Sequence, residues 1–186
     1  MHGEFAIKAG RLLNKLKVLI NKETIRKRVS ELAEEIRADY AGKHPVMVGV
    51  LKGSFVFMAD LIRELNMPME IDFIGLSSYG SGTESSGKVE IVGGLKSSLE
   101  GRDVLVVEDI ADTGLSLSFL LDYLRKRNPS SLKVCALFTK PSRRKVPLTI
   151  DYIGFDIPDR FVVGYGLDFD EQYRYLPDLC VLEEGS

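Results

Sequence analysis

The chain has 186 residues, 45% of them apolar, which is enough for one compact domain with a sizeable core. Acidic and basic side chains nearly balance at a formal net charge of −2, so neither nucleic acid nor a membrane surface is an expected partner. No apolar run approaches transmembrane length, and Lys15 and Lys17 interrupt the mildly hydrophobic stretch 12–20, so the expected location is cytoplasmic.

Residues up to Asn21 read as a tail or a short lead-in. From 24 to 40 the apolar residues Ile25, Val29, Leu32, Ala33, Ile36 and Tyr40 recur at helical spacing, and Gly42 closes the helix. The valine-rich run 46–51 suits a parallel strand covered on both faces. Ser54 is placed to cap a second helix that carries Phe55, Met58, Leu61, Ile62 and Leu65 on one side. A strand is expected over 70–76. Serines and glycines then erase any apolar period over 77–88, as in a mobile lid or a flexible connection. Further strands are expected at 104–107 and 133–139, with a helix over 113–127 between them. Beyond Tyr152 the pattern is short strands and turns. This alternation predicts a single parallel α/β sheet with right-handed crossovers and no second domain. Cys135 and Cys180 lie in apolar strand-like stretches and have no metal-binding spacing, so buried thiols are expected rather than a disulfide.

The segment 104–117, VLVVEDIADTGLSL, carries the most chemistry. An apolar strand ends in Glu108 and Asp109, and a short loop brings Asp112, Thr113 and Gly114 to the start of a helix. Ligands of open α/β sheets bind beyond the carboxyl ends of the strands. Free N–H groups at a helix start suit a phosphate, with hydroxyls from Thr113 and Ser116 and a close backbone approach at Gly114. Adjacent carboxylates suit sugar hydroxyls or a hard cation. Simple helix capping explains Asp112 alone but leaves the acid pair without a reason.

This segment resembles the phosphoribosyl pyrophosphate signature of type I phosphoribosyltransferases. The resemblance extends from about residue 20 to residue 182, with its motifs in order. It implies a parallel-sheet core with helices on both faces, within one domain spanning 1–186. A small base-binding hood would come mainly from 140–186 together with the N-terminal lead-in. It also implies that Glu108 and Asp109 hold the ribose hydroxyls and contribute to magnesium binding. Asp112, Thr113, Gly114, Leu115 and Ser116 would cradle the 5′-phosphate, and Asp112 would serve as general base towards the purine. Several relatives carry lysine where this chain has Leu115, so amides and hydroxyls would bear more of the phosphate here.

Three further stretches resemble hypoxanthine-guanine phosphoribosyltransferases. LKGS at 51–54 is similar to their pyrophosphate loop. It implies pyrophosphate contacts from Lys52 and Gly53, and a Leu51–Lys52 peptide that can be cis; without the resemblance Lys52 reads as a surface lysine. FVVGYGLDFDEQYR at 161–174 is similar to their base-binding hood. Phe161 would stack on the purine, Val162 would meet its 2-position edge, Asp168 would join the magnesium ligands and Arg174 would reach the pyrophosphate. Lys140, in FTKPS, would donate to O6 of the base, which predicts acceptance of hypoxanthine and guanine and refusal of adenine. Ser78 and Tyr79 match the family's lid dipeptide. The implied partners are phosphoribosyl pyrophosphate and a 6-oxopurine, with Mg2+ as cofactor, in a homodimer or homotetramer. The cluster Arg143, Arg144, Lys145 reads as a solvated basic surface. Two other classes are set against this reading. A nucleic-acid-binding regulator needs a larger basic surface, and a receiver-type domain has no use for the phosphate turn.

Overall fold

The computed structural model describes residues 16–78 and 89–182. It begins with strand β1 (Leu16–Ile20), where a tail and a lead-in both stood open. Asn21 caps helix α1 (Lys22–Asp39), its side chain accepting the Thr24 N–H at 2.8 Å, so the helix starts slightly before the expected Thr24. Ile25, Val29, Leu32, Ala33 and Ile36 form its buried face, as their spacing predicts. Strand β2 (Val46–Leu51) has the expected bounds and is buried up to Val50.

Helix α2 (Phe55–Leu65) departs from expectation twice. Ser54 makes no cap bond; its buried hydroxyl donates to the Val50 carbonyl at 2.6 Å and pins the β2–α2 loop instead. The buried stripe runs through Phe57, Met58, Leu61 and Leu65, whereas Phe55 is 45% exposed. Phe55 is the first helical residue, at the rim of a surface groove, and the core lies beneath the following turn.

Strand β3 (Glu70–Ser78) is followed by β4 (Val89–Val92), β5 (Asp103–Ala111), helix α3 (Leu115–Arg125), β6 (Ser131–Thr139), a 3-10 turn (Pro141–Arg143), β7 (Tyr152–Asp156), β8 (Val162–Val163) and β9 (Leu179–Leu182). Ser77 and Ser78, expected to break the pattern, extend β3 because β4 pairs with them antiparallel. Tyr79 and the rest of the Ser/Gly-rich stretch to residue 88 lie outside the described residues.

Six strands form one sheet in the order β4-β3-β2-β5-β6-β7. All pairs are parallel except β3–β4 at the edge. Met47, Leu105, Val107 and Cys135 pack with α1 and α2. Val46, Val48, Val104, Val106 and Val134 pack with α3 on the other face. Burial on both faces is why these strands read as continuous apolar runs. Both cysteines are buried and free.

A small antiparallel sheet has the order β1-β9-β8. Leu16 pairs with Leu182 and Val162 with Val181, so the lead-in and the end of the described chain share one sheet. In the large sheet the chain leaves β2 through α2 towards β3, and leaves β5 through α3 towards β6. The two connections run in opposite directions from neighbouring strands, which makes the carboxyl ends of β2 and β5 the topological switch point.

Candidate active site

The β2–β5 ladder ends at Gly49 and Val107. Beyond it the strands part around a cleft of about 230 Å³, with Val50, Leu51 and Leu76 on one side and Glu108, Asp109 and residues 110–114, 116 and 117 on the other. Of the expected phosphate turn, only Leu115 lies off this lining. Glu108 and Asp109 were expected to end the strand, but it continues past them to Ala111. β6 keeps pairing as far as Ala111 with Thr139, which carries β5 past its last contact with β2. Strict alternation would send adjacent side chains to opposite faces. Here the alternation changes phase after Val107, so that Ile110 returns to the α1–α2 side and Ala111 to the α3 side. Burial pushes the Glu108 carboxyl well above the usual carboxylate range, and the neighbouring Asp109 charge adds to this. Burial also raises Asp109, against the Ile110 N–H, which donates to its Oδ1 at 2.8 Å.

The turn after β5 leaves Asp112 unspent. The N-cap of α3 is Gly114, at φ +82° and with no side-chain cap bond, so capping does not account for the aspartate. The Thr113 hydroxyl accepts the Leu115 N–H at a long 3.4 Å. The first N–H groups of a helix lack intrahelical acceptors, and here they sit beside the cleft. Asp112 Oδ1 is buried without an aligned donor, although Arg143 Nε stands 2.8 Å away. The reading of residues 143–145 as a solvated basic surface is therefore corrected for Arg143 and Arg144, which are half-buried, while Lys145 is exposed. Arg143 contacts Asp112 and Asp159, a Cβ on Gly114 would meet Arg144 Cδ at 3.0 Å, and the Lys145 N–H donates to the Thr113 carbonyl at 2.9 Å. This loop packs on the turn, a tertiary contact that a charge count cannot register.

The 51–54 loop closes the other flank, and its Leu51–Lys52 peptide is cis. A Cβ on Gly53 would lie 1.6 Å from Asp109 Oδ2, and one on Gly166 would lie 2.3 Å from the Gly53 carbonyl. The loop is thus sandwiched between the acid pair and the 161–174 segment. Arg174 donates to the Gly166 carbonyl at 2.9 Å and pairs with Asp168 at 2.9 Å and with Glu171 at 3.3 Å. Lys52 Nζ lies 2.8 Å from the same Glu171, and the Glu171 N–H donates to Asp168 Oδ2 at 2.9 Å. Both expected pyrophosphate cations therefore share one carboxylate that sequence reasoning missed. The Lys52 and Arg174 hydrogen bonds hold Glu171 below the usual carboxylate range.

Lys140 directly follows β6 and is only 6% exposed. Its N–H donates to the Ala111 carbonyl at 3.1 Å, which joins it to the acidic strand. Among the described residues its ammonium has no hydrogen-bond or ion-pair partner. Val162 is buried in β8, while Phe161 is 52% exposed and meets Phe169 edge-on at 5.4 Å between ring centroids. Phe169 also escaped the sequence reading. Ser78 closes β3, and Tyr79 is outside the described residues.

No cluster of three or more potential metal-ligating side chains occurs among the described residues. Glu108, Asp109 and Asp168 suit a hard cation that takes only one or two carboxylates and completes its shell with phosphate oxygens and water. A larger groove of about 890 Å³ lies between α1, α2 and residues 171–177 and includes Phe55, Arg63 and Tyr175. It holds neither the acid pair nor the anion turn, so the smaller cleft is where the chemistry concentrates.

Residues 18–170 match the family model described as phosphoribosyl transferase domain. The chain is 50% identical over 167 residues to the hypoxanthine-guanine phosphoribosyltransferase of Bacillus subtilis, covering 90% of this chain and 93% of that protein. It is 46% identical over 171 residues to the enzyme of that name from Aquifex aeolicus, covering 91% and 96%. A crystal structure of a hypoxanthine phosphoribosyltransferase from Staphylococcus aureus superposes with a TM-score of 0.87 at 46% identity, covering 91% of this chain and 93% of that one.

Proposed function

The chain belongs to the phosphoribosyl transferase domain family, and from that membership we propose that it is a purine-salvage hypoxanthine-guanine phosphoribosyltransferase. It transfers the 5-phosphoribosyl group of phosphoribosyl pyrophosphate to a 6-oxopurine. A purine ring nitrogen bonds to ribose C1, the bond from C1 to pyrophosphate breaks, and the purine's proton passes to Asp112. The products are IMP or GMP and pyrophosphate. The observation that carries this reading is the pairing of half-buried Glu108 and buried Asp109 with the uncapped turn 112–114 along one cleft.

In this reading the acid pair accepts hydrogen bonds from the ribose hydroxyls. Thr113, Gly114, Leu115 and Ser116 hold the 5′-phosphate through backbone N–H groups and hydroxyls. Lys52, Gly53 and Arg174 take the pyrophosphate, which replaces the exposed Glu171 carboxylate between the two cations. Lys140 donates to O6, Phe161 stacks on the ring, Val162 meets its 2-position edge, and Ser78 with Tyr79 belongs to a lid that excludes water. Glu108, Asp109 and Asp168 would hold magnesium, which when bound neutralises the leaving pyrophosphate. The hood, built from 140–186 and the lead-in, a homodimeric or homotetrameric state and a cytoplasmic location are parts of the same proposal. The free buried thiols accord with reducing surroundings.

Incubation with labelled phosphoribosyl pyrophosphate, magnesium and each purine in turn is expected to yield nucleotide from hypoxanthine and guanine and none from adenine. Absence of any nucleotide would sink the reading. Asp112→Asn is expected to bind phosphoribosyl pyrophosphate nearly as the parent does while turnover falls about 10²–10⁴-fold. Undiminished turnover would remove Asp112 from the proton-accepting role.

A further inference from the structure

We propose that Arg143 is a positioning residue that sets the Asp112 carboxylate for proton acceptance; this rests on the reading of Asp112 given above. Arg143 closes the 3-10 turn that follows Lys140. Its Nη1 donates to Asp159 Oδ1 at 3.1 Å, and its Nε stands 2.8 Å from Asp112 Oδ1. One guanidinium thus joins three loops: the turn before α3, the loop after β6, and the loop after β7 that leads to Phe161. A planar guanidinium presents its donors in a fixed fork, so its two anionic neighbours are held at a set separation. Asp112 needs such a support. It is not the helix cap, and its buried Oδ1 has no aligned donor. The Nε contact is the one electrostatic tether recorded for that carboxylate among the described residues.

The same side chain links the proton acceptor to the segment carrying the exposed Phe161 ring. Turning Asp112 away from the purine, or shifting the ring by about an ångström, would cost turnover rather than phosphate affinity, because effective proximity falls steeply with misplacement. The loop itself is held independently of this side chain. The Lys145 N–H bonds to the Thr113 carbonyl, the Arg143 N–H bonds to the Lys140 carbonyl at 3.0 Å, and Arg144 packs beneath Gly114. Removing the Arg143 guanidinium therefore leaves the backbone frame in place, which separates positioning from scaffolding.

Steady-state kinetics with hypoxanthine on the parent, R143A, R143K, D159N, D112N and the D112N/R143A double variant test the proposal, with thermal midpoints measured alongside. R143A is expected to lower kcat about 10–100-fold while KM for phosphoribosyl pyrophosphate and the thermal midpoint stay near the parent values. R143K is expected to recover only part of kcat, since an ammonium lacks the fork, and D159N to lose less than R143A. Added to D112N, R143A is expected to cause no further loss, because its effect runs through Asp112. Full kcat in R143A, full recovery in R143K, or an equal loss in the D112N background would each overturn the proposal. Parent-like turnover in D112N alone would instead sink the reading of Asp112, and the proposal with it.

Discussion

At Gly53 the space for a side chain is already taken by a carboxylate, since a methyl group there would lie 1.6 Å from Asp109 Oδ2 and 2.6 Å from its Cγ. Gly53→Ala must push the 51–54 loop off the acid pair, and the Gly53 carbonyl in turn abuts Gly166. The expected result is a folded protein destabilised by about 1–3 kcal/mol, with activity lowered about 10²-fold; urea titration and initial rates measure the two effects. Lys140 poses a different question, because a buried ammonium offers donors only. Opposite an acceptor such as O6 it is satisfied, and opposite the amino group of adenine it is not. Lys140→Met is expected to lower kcat/KM for hypoxanthine about 10–100-fold and to narrow the preference over adenine, as read by direct competition between the two bases. An unchanged preference would place the selection elsewhere.

Asp72 shows how one side chain fastens two elements. It lies in β3 and is buried; its Oδ2 accepts the N–H groups of Lys96 and Ser97 at 2.7 and 2.8 Å, in the stretch between β4 and β5. Burial pushes this carboxyl up, but the N–H donors of Ser97, Phe73 and Lys96 outweigh it and leave it below the usual carboxylate range. A depressed folded value means that its stabilisation is present above the ordinary carboxylate pKa of about 4 and fades as acid carries the pH below it. Asp72→Ala is expected to cost about 1–3 kcal/mol at pH 7, with the gap to the parent narrowing towards pH 3 in urea titrations. A gap independent of pH would refute this origin. What was legible at this scale followed the reach of the signal. The α1 stripe and the bounds of β2 come from periods within a few residues, and the strand ends and the turn 112–116 from one contiguous segment. β1 was undecided because its partner strand is β9, at the far end of the described chain. Phe55 and Phe57 are both apolar, and only the position of the core separates them. Arg143 and Glu171 act through contacts across loops, which no spacing encodes.

For the molecule as a whole, the acid pair is a liability that the fold tolerates. Both carboxyls are raised by burial, so the folded chain binds protons more readily there than the unfolded chain does. That contribution is complete below the ordinary carboxylate range and is lost as the pH climbs through the raised values, leaving a net cost at neutral pH. Glu108→Gln removes a charge from the pair. It is expected to raise the thermal midpoint by about 2–4 °C at pH 7, and by less at pH 5, while weakening the affinity for phosphoribosyl pyrophosphate. A lower midpoint at pH 7 would show that the pair supports the fold.

The pairing of β1 with β9 also sets an order of events during biosynthesis. Residues 16–20 leave the ribosome before any element of the large sheet, but the strand they zip onto comes from 179–182, after every element of that sheet has emerged. The cleft between β2 and β5 can therefore form on a nascent chain whose β8 and β1 still lack their shared neighbour. A chain clipped just before Leu179 would keep the acidic strand and its turn but lose the strand that joins Val162 to the N-terminal segment. The last of the described residues, 179–182, are the ones that close the smaller sheet.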